Sequence, residues 1–289
     1  TSVTLSYKDA NGATQTQTQG LAVNSTMPYA TATFTGLTMY VPINDSADLD
    51  VYVGTPTVAS GATSGAALNV QLSRGAALTA TDNTFRAVNS AGSPVTVDAV
   101  GGYLASNGTF YVRKSIPTFA MLATTNTVPS TGTPLYRFTI AADPAGAIEW
   151  SHLKFNLSTN TASVSSIYLT DDATGVSLLD TGTYASTTAT TATIDLPTNN
   201  NTLAKYQQVA AGAAKTYALY GTVSAYGAAG STISIGLAAD TGAVANGYAS
   251  GASPVSGSTL WSDRSSTSHS ITSTDWTNGF LLKNFTGNT

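Results

Sequence analysis

The chain has 289 residues, of which 11 are Lys or Arg, 15 are Asp or Glu and none is Cys. Charged residues make up 9%, against roughly 25% in an ordinary soluble domain. The lack of Cys excludes a disulfide framework and Cys-ligated zinc, and a net charge of −4 disfavours nucleic-acid binding. Catalytic acids and bases are scarce, so we expect no enzyme. No apolar run approaches the length of a membrane span, so none is expected.

Apolar and polar residues alternate in several short runs along the chain. This period of two is typical of half-buried β-strands. The pattern predicts an all-β protein with short strands, packed as sandwiches, and only residues 209–214 could form a helical turn. The runs are 3–7, 49–53, 68–72, 110–112, 138–140, 153–155 and 233–237.

Asn-Gly pairs lie between several of these runs. They occur at Asn11, Asn107, Asn246 and Asn278, each followed by Gly. Because Asn and Gly tolerate a positive φ, the pairs predict tight turns between neighbouring strands.

The chain also repeats itself, because five short segments recur in the same order. The repetition predicts two tandem immunoglobulin-like β-sandwich domains, at 1–114 and 115–289. The matched segments are 7–12 with 168–175, 31–34 with 191–194, 49–53 with 217–221, 68–72 with 233–237, and 107–114 with 278–283.

The first copy is predicted to lack its opening strands. The second copy begins with the strand-like segments 135–141 and 148–155, for which the first copy has no counterpart. A sandwich without these strands exposes its core and unpaired backbone, which invites pairing with another chain. We expect Val3, Leu5 and Tyr7 to line the resulting polymerisation groove. The alternative is that the opening strands of the first copy exist but lie outside these 289 residues.

Three carboxylates, Asp45, Asp48 and Asp50, lie in a loop that runs into a strand. Such a loop is a weak candidate for calcium, but it lacks the glycine and the bidentate glutamate of a hand-type loop. A charged, solvated strand edge explains the same residues. No other metal or cofactor is expected.

The two histidines offer little catalytic chemistry. His269 has Asp263 and Asp275 nearby, but no G-x-S-x-G elbow accompanies it, so a hydrogen-bonded loop histidine is favoured over a Ser-His-Asp triad. His152 is expected to face outward, because Leu153 and Phe155 alternate inward.

Two further hypotheses concern single residue types. Glu149 and Lys154 suggest a Lys–Asn isopeptide crosslink of the kind found in some bacterial pilins, although one glutamate is a weak basis. Trp150, Trp261 and Trp276 could stack on glycans, but tryptophan in β-sandwiches is more often buried.

The C-terminal region carries a distinctive pattern. It reads Trp-Ser-Asp-Arg-Ser at 261–265, His-Ser at 269–270 and Thr-Asp-Trp-Thr-Asn-Gly-Phe at 274–280. This pattern resembles the closing segment of secreted tandem β-sandwich proteins of candidate-phylum (Patescibacteria-type) bacteria, and segments 135–143 and 148–150 are similar to the opening of their modules. The resemblance implies a cell-surface or appendage component and supplies no catalytic residues.

These observations favour a structural subunit of an extracellular filament or cell-surface array. The expected partner is another copy of the chain, joined head-to-tail by β-strand addition in the manner of donor-strand complementation. The alternative is a monomeric carbohydrate-binding or adhesion module with glycan or cell-surface contacts.

Overall fold

The computed structural model describes residues 2–23, 29–73, 87–95, 103–105, 109–124, 128–227, 229–242 and 257–282. Within these ranges the chain is built almost entirely from antiparallel β-strands, which confirms the all-β prediction. It divides into two compact units, Thr1–Ala62 and Thr63–Thr289. The tandem immunoglobulin-like arrangement stays a prediction.

Unit 1 is a small sheet with a two-stranded accessory pair. Its three-stranded sheet has the order β2-β1-β5, and β3 pairs with β4. The elements are β1 Ser2–Lys8, β2 Thr14–Gly20, β3 Ala22–Val23, β4 Ala30–Thr31, β5 Leu49–Gly54 and a 3-10 turn at Val58–Ser60.

A tight turn joins β1 to β2. Asp9 Oδ1 accepts hydrogen bonds from the backbone N–H groups of Asn11 and Ala13, and Gly12 adopts a φ of 76°. The Asn-Gly prediction is confirmed at this position, because a positive φ favours glycine. Asn278-Gly279 instead begins a 3-10 turn, and the pairs at 107 and 246 lie outside the described residues.

Unit 2 contains two large sheets and several short strand pairs. One large sheet has the order β12-β13-β19-β15; in the other, β14 pairs with β17, β18, β20 and β21. The elements are β6 Ala67–Leu68, β7 Gln71–Ser73, β8 Ala87–Val88, β9 Pro94–Val95, β10 Tyr103–Ala105, β11 Phe110–Tyr111, β12 Pro117–Leu122, β13 Tyr136–Ala142, β14 Ile148–Asn160, β15 Ser163–Asp171, β16 Ser186–Thr187, β17 Thr191–Asp195, α1 Leu196–Asn199, β18 Gln207–Val209, β19 Ala214–Ser224, β20 Thr232–Leu237, β21 Thr259–Ser262, β22 Trp276–Asn278 and a 3-10 turn Gly279–Leu281.

The two large sheets enclose the main hydrophobic core. Trp150 of β14 packs edge-on against Tyr217 of β19 with ring centroids 5.2 Å apart, and Phe155 of β14 lies 5.9 Å from Phe138 of β13. All four side chains are fully buried. Aromatic contacts of this kind add to the free energy gained from burying their area.

A β-bulge in β14 changes which residues face this core. The register with β21 shifts between Trp150 and His152, so Trp150 on one side of the bulge and Leu153 on the other both point inward. Simple alternation would place Trp150 on the face opposite Leu153, but the bulge inserts one residue into the period of two and turns Trp150 to the core. His152 is also only 6% exposed, so the outward-facing prediction does not describe its surroundings.

The helical turn lies at a different place from the one predicted. Residues 209–214 end β18 and lead through a turn into β19, whereas the α-helical turn lies at Leu196–Asn199. The division between units falls after Ala62, whereas the repeat placed a boundary at 114. Segment 63–114 belongs to unit 2, and Asp263 holds both of its ends, as described below.

Candidate functional site

The predicted groove residues lie on the central strand of the unit 1 sheet. β1 pairs with β2 on one side and with β5 on the other. Leu5 and Tyr7 are each 7% exposed, and Val3 is half-buried. Val3, Leu5 and Tyr7 therefore do not line an open strand position, because both edges of β1 already carry backbone hydrogen bonds.

The open position in unit 1 is the outer edge of β5. Within the described ranges this strand pairs only with β1, and Val51 and Tyr52 are 41% and 58% exposed. We call this feature the open edge of β5. By contrast β19, the matched strand of unit 2, pairs with β15 on one side and with β13 on the other.

Exposed apolar side chains also precede β5, in a segment without strand structure that we call the apolar segment 37–43. It contains no charged residue. Both hydrophobic core clusters found in the described ranges consist of unit 2 residues, whereas several large apolar side chains of unit 1 are exposed. The exposed residues of this segment are Leu37, Tyr40, Val41 and Ile43.

The calcium candidates do not converge. Asp45, Asp48 and Asp50 are all exposed, and Asp45 Oδ1 accepts a hydrogen bond from the backbone N–H of Ser46 at 2.8 Å. Across the part of the chain that the structure describes, no three His, Asp or Glu side chains gather in a way that could hold a metal ion. The three aspartates form a charged border at the start of the open edge of β5.

A second notable site is an ionic cluster in unit 2, which we call the closing cluster and define as Glu149, Arg264, His269 and Asp275; the two carboxyl groups are buried, whereas the Arg264 side chain is 36% exposed. Glu149 lies on β14 and is 1% exposed. Its carboxylate contacts His269 Nε2 through Oε2, while Arg264 Nε lies 3.0 Å from Oε1. The arginine contact is an ion pair without hydrogen-bond alignment.

The other ring nitrogen of His269 contacts a second buried carboxylate. Nδ1 lies 2.8 Å from Asp275 Oδ2, and the ring packs against Trp276 at 5.7 Å between centroids. Because both ring nitrogens face carboxylate oxygens, only the doubly protonated imidazolium can donate to both. The ring thus bridges two buried carboxyl groups, an arrangement in which buried polar groups satisfy one another.

Two serines complete the surroundings of Asp275. Ser262 Oγ donates to Oδ2 at 2.8 Å, and Ser273 Oγ donates to Oδ1. Burial by itself raises the pKa of Asp275, but these hydrogen bonds and the charge of His269 together outweigh it and hold the pKa below 3.8.

Asp263 lies outside the closing cluster and has a different set of hydrogen-bond partners. It is fully buried, and its Oδ2 accepts a hydrogen bond from Ser64 Oγ and another from the Lys114 backbone N–H at 2.8 Å. It therefore fastens both ends of segment 63–114 to the end of β21. Burial lowers the pKa of the nearby Arg113, and the carboxylates of Asp263 and Asp275 oppose this effect.

The closing cluster has no free catalytic group. The loop-histidine prediction for His269 describes what is found, with Asp275 as the partner and Asp263 elsewhere. Ser273 Oγ lies 3.4 Å from His269 Nδ1 but donates to Asp275, so it is not placed as an activated nucleophile. Glu149 is held by His269 and Arg264, which leaves the isopeptide hypothesis without its acid.

The three tryptophans cannot form a glycan platform. Trp150, Trp261 and Trp276 all have a relative exposure of 0%. The indole of Trp261 donates to the Asn278 carbonyl at 3.0 Å, and that of Trp276 donates to the Ser270 carbonyl at 2.8 Å. The three tryptophans, Asp263, Asp275, Thr277 and Asn278 are buried, so the most distinctive residues of the C-terminal pattern serve packing and hydrogen bonding.

Sequence reasoning missed the pairing of Glu149 with His269. The two residues are 120 positions apart, and no local spacing links them. The one available signal was the rarity of these residue types, because the chain has a single glutamate and two histidines. Glu149 lies in a predicted strand, and His269 lies in the C-terminal pattern.

The lowered pKa of Asp275 predicts a loss of stability in acid. A carboxylate whose pKa is lower in the folded state stabilises the fold above its unfolded value, and this contribution disappears as the pH falls through the folded value. We expect the free energy of unfolding of the wild type to fall more steeply than that of Asp275→Asn below about pH 4. Urea unfolding at several pH values measures this. Parallel curves, or a carboxyl-carbon NMR titration of Asp275 above 3.8, would contradict it.

Comparison with known proteins does not identify a family for this chain. No protein-family model, curated protein or solved structure matches this chain. None of the helices in the described ranges is long and apolar enough to cross a membrane.

Proposed function

We propose that this protein is a structural subunit of an extracellular filament or cell-surface array, assembled by β-strand addition at unit 1. The observation that carries the proposal is the open edge of β5 beside the apolar segment 37–43. A strand added there forms backbone hydrogen bonds along the edge and covers alternate apolar side chains.

The geometry of such a joint favours a polymer over a closed dimer. The open edge of β5 is one surface, and the strand that it receives comes from a different surface of the next copy. A heterologous contact of this kind repeats head-to-tail and produces an open helical assembly. In this proposal the closing cluster stabilises unit 2 and has no catalytic role.

Electron microscopy and sizing of the undenatured protein test the proposal. We expect uniform fibres with a fixed axial repeat, formed in a concentration-dependent way. Val51→Lys places a charge on the open edge of β5 and should prevent fibre formation, because charged edge residues block edge-to-edge pairing.

Val176→Lys is the matched control. Val176 is 61% exposed in unit 2, so the same substitution there should leave fibre formation unchanged. Monodisperse 29.3 kDa particles at every concentration would overturn the proposal and favour a monomeric binding module.

A further inference from the structure

We infer that the strand received by the open edge of β5 is the C-terminal segment 283–289 of a second copy of the chain, running parallel to β5. Lys283 of one copy then lies beside Asp50 of the next, and Phe285 lies beside Tyr52. This inference rests on the proposed function and names the donor segment, the strand direction and the register.

The open edge of β5 carries a charge and an aromatic ring on one face. In the register with β1, Asp50 and Tyr52 lie opposite Ser6 and Thr4, so their side chains share a face of the sheet. Asp50 is exposed, and Tyr52 is 58% exposed. None of the ion pairs in the described ranges uses Asp50. This face therefore offers a carboxylate followed, two residues later, by an aromatic ring.

The complementary pattern is a cation followed two residues later by an aromatic side chain. Opposite charges and aromatic rings that lie side by side on neighbouring strands stabilise a sheet. Of the 11 Lys and Arg residues, only Lys215 and Lys283 have Phe, Trp or Tyr at this spacing. Lys215 belongs to β19, which pairs with β13 and β15 on its two sides. Lys283 is followed by Phe285 and then by Gly287, which would lie beside Gly54.

An antiparallel donor would need the reverse order, with the aromatic residue two positions before the cation. Among the Lys and Arg residues only Arg113 has this order, after Tyr111. Tyr111 pairs with Ala67 in the β11–β6 ladder, and the Arg113 guanidinium lies over the Trp261 ring at 5.8 Å. These two residues are therefore already engaged within unit 2.

The last described residue of the chain decides the direction of the donor. Leu282 is 9% exposed and belongs to the main core of unit 2, and its N–H donates to the Gly279 carbonyl at 3.0 Å. Segment 283–289 follows this anchor, lies outside the described residues and has seven residues, against six in β5. With Lys283 beside Asp50, the parallel direction carries the segment along β5, whereas the antiparallel direction carries it off the edge.

The charge pair also limits which strands can bind. Asp50 is a carboxylate on the pairing edge, and a strand that brings no cation to it leaves this charge without a partner. Electrostatic complementarity of this kind acts mainly on partner choice and register. One of the aspartates first considered as a calcium ligand therefore gains a role in selecting the donor segment.

Disulfide trapping tests the register, because the chain contains no Cys. The double variant Val51→Cys/Asn284→Cys places one thiol on each strand of the joint and leaves the charge pair and the aromatic pair intact. Neighbouring strands lie about 4.8 Å apart, within the Cα separation of about 4.4–6.8 Å that a disulfide spans. After mild oxidation of fibres, we expect a ladder of covalent multimers of the 29.3 kDa chain on non-reducing gels.

Val51→Cys/Asn288→Cys is the matched control. Asn288 would lie on the same face of the donor as Asn284 but four residues further along, about 13 Å away in a parallel strand. This variant should form fibres without the ladder, and an equal yield of ladder would overturn the register. Thermal unfolding confirms that each variant is folded.

A charge swap tests the pairing of Asp50 with Lys283. Lys283→Asp should raise the critical concentration for fibre formation about fivefold, because it places like charges side by side. The double variant Asp50→Lys/Lys283→Asp should return the critical concentration close to the wild-type value. Light scattering against protein concentration measures it, and a double variant that stays as weak as Lys283→Asp would overturn this charge pair.

The outcomes separate this inference from the proposed function. Fibres of Val51→Cys/Asn284→Cys that give no ladder would overturn the C-terminal donor and leave the filament proposal standing. A disulfide formed within single chains would place the segment on its own copy and would also overturn the donor. A wild-type protein that forms no fibres would overturn both.

Discussion

Trp150→Ala is expected to lower the free energy of unfolding by about 3–5 kcal/mol, the range for removal of a buried aromatic side chain. The indole is fully buried between the two large sheets of unit 2. Its loss leaves a cavity and removes the hydrogen bond from Nε1 to the Tyr217 hydroxyl, which measures 3.1 Å. Burial raises the pKa of that hydroxyl, so it would stay protonated with one partner fewer.

Urea unfolding followed by far-UV circular dichroism measures this effect. The matched control is Phe280→Ala, because Phe280 is an aromatic residue of unit 2 that is 43% exposed. Surface substitutions usually change stability by less than about 0.5 kcal/mol. Similar losses for the two variants would show that Trp150 does not join the two sheets as described.

His269→Ala is expected to lower the free energy of unfolding by about 3–5 kcal/mol, because it leaves two buried carboxyl groups without the ring that bridges them. Glu149 and Asp275 are 1% and 3% exposed and would lose the imidazole ring between them. Glu149 would retain Arg264 at 3.0 Å, and Asp275 would retain its serine donors. Much of the lost free energy of unfolding is therefore the penalty for leaving carboxylates buried without a partner. The net contribution of the intact cluster to stability is smaller than this loss.

The other histidine of the chain supplies the control. His152 is 6% exposed, but its Nδ1 has no hydrogen-bond partner and lies 3.9 Å from Asp195 Oδ1. His152→Ala should cost less than half as much as His269→Ala, since it opens a cavity and breaks no described hydrogen bond of Nδ1.

A double-mutant cycle identifies why His269→Ala lowers the free energy of unfolding. Combined with Glu149→Gln, His269→Ala should cost clearly less than it does alone, because the glutamine carries no charge to be left unpaired. Additive losses would mean that His269 and Glu149 are not coupled as their contact implies.

Local sequence was sufficient to predict the positions of strands in which apolar and polar residues simply alternate. The runs at 3–7, 49–53, 138–140 and 233–237 correspond to β1, β5, β13 and β20, because burial of one face of a sheet imposes a period of two on side chains. The turn at Asp9–Gly12 was equally readable, since its hydrogen bonds join residues at most four positions apart.

The β14 bulge shows where the local pattern fails. Alternation within 148–155 cannot reveal an inserted residue, because the bulge is set by the register against β21, more than 100 positions away. Strict alternation without the bulge would place Trp150 on the face opposite Leu153, although Trp150 is among the largest fully buried side chains of the core.

Composition and periodicity by themselves determined that this is an all-β chain with few charges, because both depend only on which residue types follow one another. Tertiary structure decided which edges and charges meet. It made β1 a central strand and left the edge of β5 open in the described ranges, because strand order depends on long-range pairing. It also brought Glu149 to His269 and Asp263 to Ser64 and Lys114, since a buried charge is stable only where the fold supplies a partner.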